Sequence, residues 1–347
     1  MSPSRFRRAA ATLFVLALCA ACASPPARED LARSWATLVR VDDLPAWSMA
    51  FDAAYSLDAL LEDGAATEGA LLRFALGQLG LAAAPDDGVR EVAVLPRGKA
   101  CTGFSAGLDA GGRVVGHNED WESGSYLVVV ARPVEGYGSI GLVDVDYADA
   151  FRHGRRAAFL VAPFFPLAGM NERGLAVSTY SVPTCEPPAR DDAPDVLWPA
   201  AIRILLDRAA TVDEALALLD AIDPAFSDGN KLQFLIADAA GGSAVVAWLG
   251  GRAVVTRPSS PWQVVANFIL HGAAEGDFAA CERWTGAESM LAARSGTIDR
   301  AYAMRVLESA SRRGWTRFSA VFDLGALEAD LVFGRKYGLV RRFSLRD

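Results

Sequence analysis

Beyond Val92 the sequence comes in blocks: strand-like runs, two helix-like runs, strands, two more helices and strands again. The strand–helix–strand alternation that a parallel sheet needs is missing. This pattern calls for antiparallel sheets closed by hairpins with helices layered on them, an α+β fold. Thr102 to Leu108 and Arg113 to His117 flank Asp109-Ala110-Gly111-Gly112, a hairpin signal. Further strands are expected at Tyr126 to Ala131, Ser139 to Val145, Gly174 to Val182 and in four runs between Gln233 and Asn267. Three more close the chain, Phe318 to Asp323, Asp330 to Phe333 and Leu339 to Phe343. Helices are expected at Val196 to Arg208, at Val212 to Ile222 with Thr211 as N-cap, at Phe278 to Ala293 and at Thr297 to Ser311.

The region before this differs. Trp47 to Leu61 and Thr67 to Leu81 carry apolar residues at helical spacing, separated by Asp63-Gly64, so residues 23–100 read as a small helical N-terminal region. Residues 1–22 read as an export signal. Arg5, Arg7 and Arg8 precede the apolar run Ala9 to Ala21. At about 1.5 Å per residue such a helix is too short for a hydrocarbon core of roughly 30 Å. Small residues before Cys22 and a Pro-rich stretch after it resemble a bacterial lipoprotein signal. That resemblance implies lipidation of Cys22 and attachment to the periplasmic face of a membrane. An ordinary signal cleaved nearby is the alternative.

A net charge of −8 without basic runs argues against nucleic acid as a partner. Beyond Cys19 and Cys22 the cysteines are Cys101, Cys185 and Cys281. The last two either bridge in an oxidising compartment or remain separate thiols. With Cys19 and Cys22 set aside in the leader, no CxxC or HxxxH spacing remains, so no metal site is expected.

Two residues compete as nucleophile. Gly103-Phe104-Ser105-Ala106-Gly107 matches G-x-S-x-G, but that elbow requires a helix after the Ser, and here a hairpin follows. Cys101 is the stronger nucleophile once deprotonated. Its base is either one of the three histidines, His117, His153 and His271, or its own α-amine after cleavage of the Ala100–Cys101 bond. Such an amine titrates at about 7.7–8.0.

Cys101-Thr102 is followed, across one hairpin, by Gly116-His117-Asn118-Glu119-Asp120, with Asp120 nineteen residues after the Cys. This resembles the choloylglycine hydrolase and penicillin V acylase family of N-terminal-nucleophile amidases, whose pattern is Cys-Thr, then Gly-Arg-Asn-x-Asp. Acid-ceramidase-like and isopenicillin-N acyltransferase families are more distant matches. Gly169 to Leu175, Val264 to Asn267, Glu282 to Trp284 and Thr316 to Ser319 are similar to further family segments, in order. The resemblance implies a four-layer αββα sandwich of two antiparallel sheets over 101–347. It makes residues 23–100 a propeptide or, failing that, a separate domain on an uncleaved chain.

The resemblance also assigns roles. Cys101 is the nucleophile, Asp120 holds its amine, Asn267 is an oxyanion donor and Arg283 belongs to the site. Tyr180 and Ser181 stand on the substrate side. His117 occupies the family's Arg position, as a substitute for it or as packing on the hairpin. Trp121, Phe164, Phe165, Tyr180 and Trp284 are candidates for an acyl pocket or for core. The implied substrate is a small N-acyl compound cleaved at a linear amide, by hydrolysis or acyl transfer, without cofactor; oligomerisation stays open. The competing readings are a serine hydrolase using Ser105 and a non-catalytic lipoprotein on the same scaffold.

Overall fold

The hairpin turn after Leu108 closes as its residues require: Gly111 and Gly112 sit at φ +86° and +89°, where a side chain is strained. The computed structural model describes residues 28–81, 100–146, 155–227 and 230–346. Cys22, His153 and residues 82–99 lie outside them.

Before the cysteine come α1 (Arg28–Ala36), β1 (Val39–Asp42), β2 (Ala46–Phe51), α2 (Asp58–Glu62) and α3 (Glu68–Gln78). The hairpin is β3 (Thr102–Leu108) and β4 (Arg113–Asp120). Then come β5 (Tyr126–Ala131), β6 (Ser139–Asp144), α4 (Arg155–Val161), β7 (Ala168–Asn171) and β8 (Leu175–Ser181). The middle holds β9 (Asp195–Leu197), α5 (Trp198–Arg208), α6 (Val212–Asp220), β10 (Asp223–Ala225) and β11 (Leu232–Asp238). It continues with β12 (Ser243–Leu249), β13 (Arg252–Thr256) and β14 (Gln263–Val265). The chain ends with α7 (Glu275–Ala279), α8 (Glu282–Ala292), β15 (Thr297–Ile298), α9 (Arg300–Ala310), β16 (Thr316–Asp323), β17 (Glu328–Phe333) and β18 (Arg341–Ser344).

Two large sheets form. One runs β1-β2-β5-β6-β7-β8-β11-β12-β13; the other runs β14-β3-β4-β16-β17-β18, with β15 beside β3. Helices α5 and α6 pack on the first sheet, and α8 and α9 on the second. Alternation along β3 and β4 explains the layering. Cys101, Val115 and Tyr180 join the core between the sheets, whereas Phe104, Ala106 and Val114 join the core under α8 and α9 with Leu291 and Leu307. The expected α+β sandwich of two sheets is therefore what the chain builds.

The N-terminal segment differs from the helical region expected. Residues 46–51 form a strand that pairs in parallel with β5, Ala46 opposite Tyr126 and Phe51 opposite Ala131. An apolar run beside an open sheet edge gains more from pairing than from a lone helical turn. α3 does form with the expected cap, Thr67 accepting from the Ala70 amide. The expected helix from Phe278 to Ala293 is broken at Cys281, whose extended backbone starts α8 afresh.

Asn171, from the Gly169–Leu175 motif, has a structural job. Its amide nitrogen donates to the carbonyls of Leu206 and Ala209, and its oxygen accepts from the amides of Arg173 and Leu175. One side chain thus fixes the β7–β8 turn and ties off the end of α5.

Gly103 sets how closely the sheets approach. A Cβ there would stand 1.9 Å from the Tyr180 hydroxyl and 2.5 Å from the Gly116 carbonyl. We expect Gly103→Ala to cost about 1–3 kcal/mol through overpacking. A lowered midpoint in urea unfolding checks this, and an unchanged midpoint would contradict the close approach.

Candidate active site

Cys101 stands just before β3, with only 4% of its surface exposed. Its Sγ lies 3.5 Å from Glu119 Oε2. Burial pushes the thiol well above its ordinary value, and the neighbouring charges of Glu119 and Asp120 push it the same way. The Asp120 backbone N–H and Arg283 pull back less strongly. An unassisted Cys101 is thus a neutral thiol, and it needs a base before it can attack anything.

β4 presents two sets of side chains. His117 and Glu119 share the face toward the other sheet. His117 Nε2 is 3.2 Å from Glu119 Oε2, its Nδ1 is 3.3 Å from the Tyr180 hydroxyl, and that hydroxyl is 2.9 Å from Ser178 Oγ. His117 is fully buried and reaches Cys101 only through Glu119. Besides packing on the hairpin it is hydrogen-bonded to a carboxylate and to a tyrosine hydroxyl.

Asn118 and Asp120 face the helices. Asn118 donates to the Leu307 carbonyl and accepts from Ser319. Asp120 Oδ1 accepts from the Thr316 hydroxyl at 2.5 Å. Asp120 Oδ2 is buried without a hydrogen-bond partner, 3.7 Å from Arg283 Nη1. Loss of water raises Asp120 to about 6, against the opposing pull of Thr316 and Arg283. Thr316 and Ser319, two positions of the C-terminal motif, are thus the residues that hold Asp120 and Asn118 across the β4–β16 pair.

Arg283 enters from the first turn of α8. Its Nη1 donates to the Ala100 carbonyl at 2.7 Å and the Cys101 carbonyl at 2.6 Å, and also to Thr102 Oγ1. One nitrogen with two protons serves three oxygens, so at least one bond is shared. Its Nη2 donates to Asn267 Oδ1 at 2.9 Å, and Asn267 Nδ2 donates to the Ser181 carbonyl. One N–H of the Asn267 amide goes to Ser181, and the group on the Ala100 carbonyl is Arg283.

A cavity enclosing about 520 Å³ of empty space, its mouth included, opens beside the thiol. Trp121, Phe165, Leu167, Trp198 and Leu232 form its apolar wall. Cys101, Glu119, Asp144, Thr179 and Ser181 line its polar side. Ser181 therefore faces the cavity, whereas Tyr180 is fully buried behind its wall. Phe164 packs in the core against Tyr55 and Phe74, and Trp284 packs on Phe268 and Phe278.

The competing groups are placed elsewhere. Ser105 is mid-strand in β3, fully buried, and accepts from Arg113 at 2.5 Å. No helix follows it, so the elbow context is absent. His271 is exposed beside Thr256. Cys185 and Cys281 are free thiols, not a bridge. Glu119 is the site residue that sequence reasoning overlooked. It fills the unspecified position of the family pattern, and its parity with His117 on one strand was the available signal.

A family model for acyl-coenzyme A:6-aminopenicillanic acid acyl-transferase matches residues 108–267, beginning after Cys101. Among solved structures, penicillin V acylase from Agrobacterium tumefaciens is 19% identical at a TM-score of 0.50, covering 67% of this chain and 83% of that one. A mutant of conjugated bile acid hydrolase from Clostridium perfringens is 13% identical at a TM-score of 0.52, covering 71% and 92%. No curated protein matches the sequence. The matched segment is similar to that acyl-transferase family, and the fold is shared with penicillin V acylase and conjugated bile acid hydrolase. Beside the cysteine this chain carries the His117–Glu119 pair.

Asp144 supplies a pH test of this cavity. Loss of water raises it to about 8, with the Asp146 and Glu119 charges adding to the effect and backbone N–H groups opposing it. The folded value lies above the unfolded value of about 3.9, so the folded state binds the proton more tightly. Stability is therefore lost as pH rises between those values. Asp144→Asn removes this loss. We expect its Tm to gain on the wild type progressively from about pH 5 to about pH 8. A constant Tm difference across that range would contradict a neutral Asp144.

Proposed function

We propose that the protein is a hydrolase of linear, non-peptide amide bonds in N-acyl compounds, and that Cys101 works as an N-terminal nucleophile freed by cleavage of the Ala100–Cys101 bond. The observation that carries this is the Arg283 contact with the Ala100 carbonyl, one bond from the residue that owns the thiol. A guanidinium there stabilises negative charge as it develops on that oxygen, a contribution of about 2.7–4 kcal/mol per donor in comparable sites. Asp120 adds support. Its unpartnered Oδ2 is an acceptor short of a donor, which a new Cys101 amine would supply.

In the mature form the freed amine takes the thiol proton and Sγ attacks the substrate carbonyl. The amine then returns the proton to the leaving nitrogen, and water hydrolyses the thioester. The largely apolar cavity wall suits an apolar acyl group. Penicillin V and conjugated bile acids, named for the structurally similar enzymes, are the first compounds to try. Export, lipidation of Cys22 and a periplasmic location belong to this proposal on the strength of the leader sequence alone.

Intact-mass measurement of the purified protein is the direct test. A fragment beginning at Cys101 is expected from the wild type, and a single uncleaved chain from Cys101→Ala. Cys101→Ala should also lose amide hydrolysis, whereas Ser105→Ala should keep it within about tenfold. Retained hydrolysis in Cys101→Ala would sink the proposal in favour of another nucleophile. A wild type both uncleaved and inactive would point to a non-catalytic scaffold. Arg283→Met should slow cleavage by about 100-fold or more.

A further inference from the structure

Self-cleavage has a chemical requirement that the mature mechanism cannot meet. Until the Ala100–Cys101 bond breaks, the nitrogen of Cys101 is an amide with no basic lone pair, so it cannot take the thiol proton. Some other group must take it, and it must already touch the sulfur in the uncleaved chain.

We propose that Glu119 is this proton acceptor, held in place by His117 as a positioning residue; the proposal rests on self-cleavage at Cys101. Glu119 Oε2 lies 3.5 Å from Cys101 Sγ, and no histidine is hydrogen-bonded to that sulfur among the described residues. Asp120, the other nearby carboxylate, lies on the helix side of β4, Oδ1 bound by Thr316 and Oδ2 3.7 Å from Arg283, and its side chain makes no hydrogen bond to Sγ among the described residues. The hydrogen-bond chain is compatible with this role: in the arrangement where Ser178 donates to Tyr180 and Tyr180 donates to His117 Nδ1, His117 Nε2 donates to Glu119. The same carboxylate oxygen then accepts from His117 and from the thiol. The family pattern places an Arg where His117 stands. This chain has instead a carboxylate beside the thiol with an imidazole behind it, which suits proton removal better than thiolate storage.

The step balances as follows. Glu119 takes the thiol proton as Sγ bonds to the Ala100 carbonyl carbon. The oxyanion forms on the oxygen held by Arg283. The carbon–nitrogen bond breaks, and Glu119 gives its proton to the departing Cys101 nitrogen. A thioester and a primary amine result. Water then hydrolyses the thioester, releasing the Ala100 carboxylate and restoring the thiol, now with the amine as base.

The test is a time course of fragment appearance by intact mass, on full-length wild type, Glu119→Gln and Glu119→Ala. Glu119→Gln keeps the shape and loses the basicity, and should cleave at least about 100-fold more slowly. Formate, a small carboxylate, should speed cleavage of Glu119→Ala, whereas chloride at equal concentration should not. His117→Gln, which can still donate to Glu119, should cleave faster than His117→Leu. Wild-type cleavage rates in Glu119→Gln would overturn the role of Glu119 while leaving self-cleavage standing. So would a folded Glu119→Ala chain that formate does not speed, because that would make Glu119 a packing residue. An intact wild type would remove self-cleavage and this proposal together.

Discussion

The contacts of Arg283 organise the site. Its guanidinium is mostly covered, with a side-chain exposure of 19%, and the nearest carboxylate oxygen is 3.7 Å away. A charge in that position must be satisfied by hydrogen bonds, because burial without them costs several kcal/mol. The acceptors come from two places in the sequence. They are the carbonyls at Ala100 and Cys101 with the Thr102 hydroxyl, and the side chain of Asn267 beyond β14. Satisfying one cation therefore fixes the start of β3, Asn267 two residues past β14 and the first turn of α8 in a single arrangement. A planar, permanently charged fork can do this, whereas a Lys point charge could not span the same set.

The break in the helix at Cys281 has its explanation here. Its extended backbone separates α7 from α8 and puts Arg283 in the first turn of the second helix. A continuous helix from Phe278 would have carried Arg283 in its interior. Apolar spacing alone does not reveal this, because the reason for the break lies in Ala100 to Thr102, far away in sequence. The hairpin, by contrast, was legible, since Asp109 to Gly112 and the alternation around it are local signals. β2 was not. Whether Trp47 and its neighbours form a helix or a strand depended on the free edge of β5, which only the folded sheet provides.

Motif spacing located the site better than it assigned roles. Cys101, Asp120, Asn267 and Arg283 do come together, as a resemblance between short segments suggested. Their partners then separate chemistry from scaffolding. Asn171 spends all four hydrogen-bonding capacities on its own turn and on the end of α5. Asn267 uses both ends of its amide on Arg283 and Ser181. Glu119 was silent in the pattern because the pattern leaves its position free. Its meaning comes from pairing parity on β4 and from a thiol on a neighbouring strand, neither of which a motif encodes.

The segment before the cysteine limits what a cut at Cys101 would do. Phe51, Tyr55, Leu60 and Leu71 are buried in the same core as Val129 and Phe164. Fully burying such a side chain is worth about 1.5–3 kcal/mol. β2 also supplies the parallel partner of β5 along its whole length. Loss of residues 28–81 would therefore expose both a sheet edge and part of the inter-layer core. Cleavage of one peptide bond removes none of those contacts. What it would change is local: the Ala100 carbonyl would no longer have to stay beside Arg283, and Cys101 would gain an amine. Such a cut would therefore leave these contacts in place, and residues 28–81 are part of the folded body that carries Cys101.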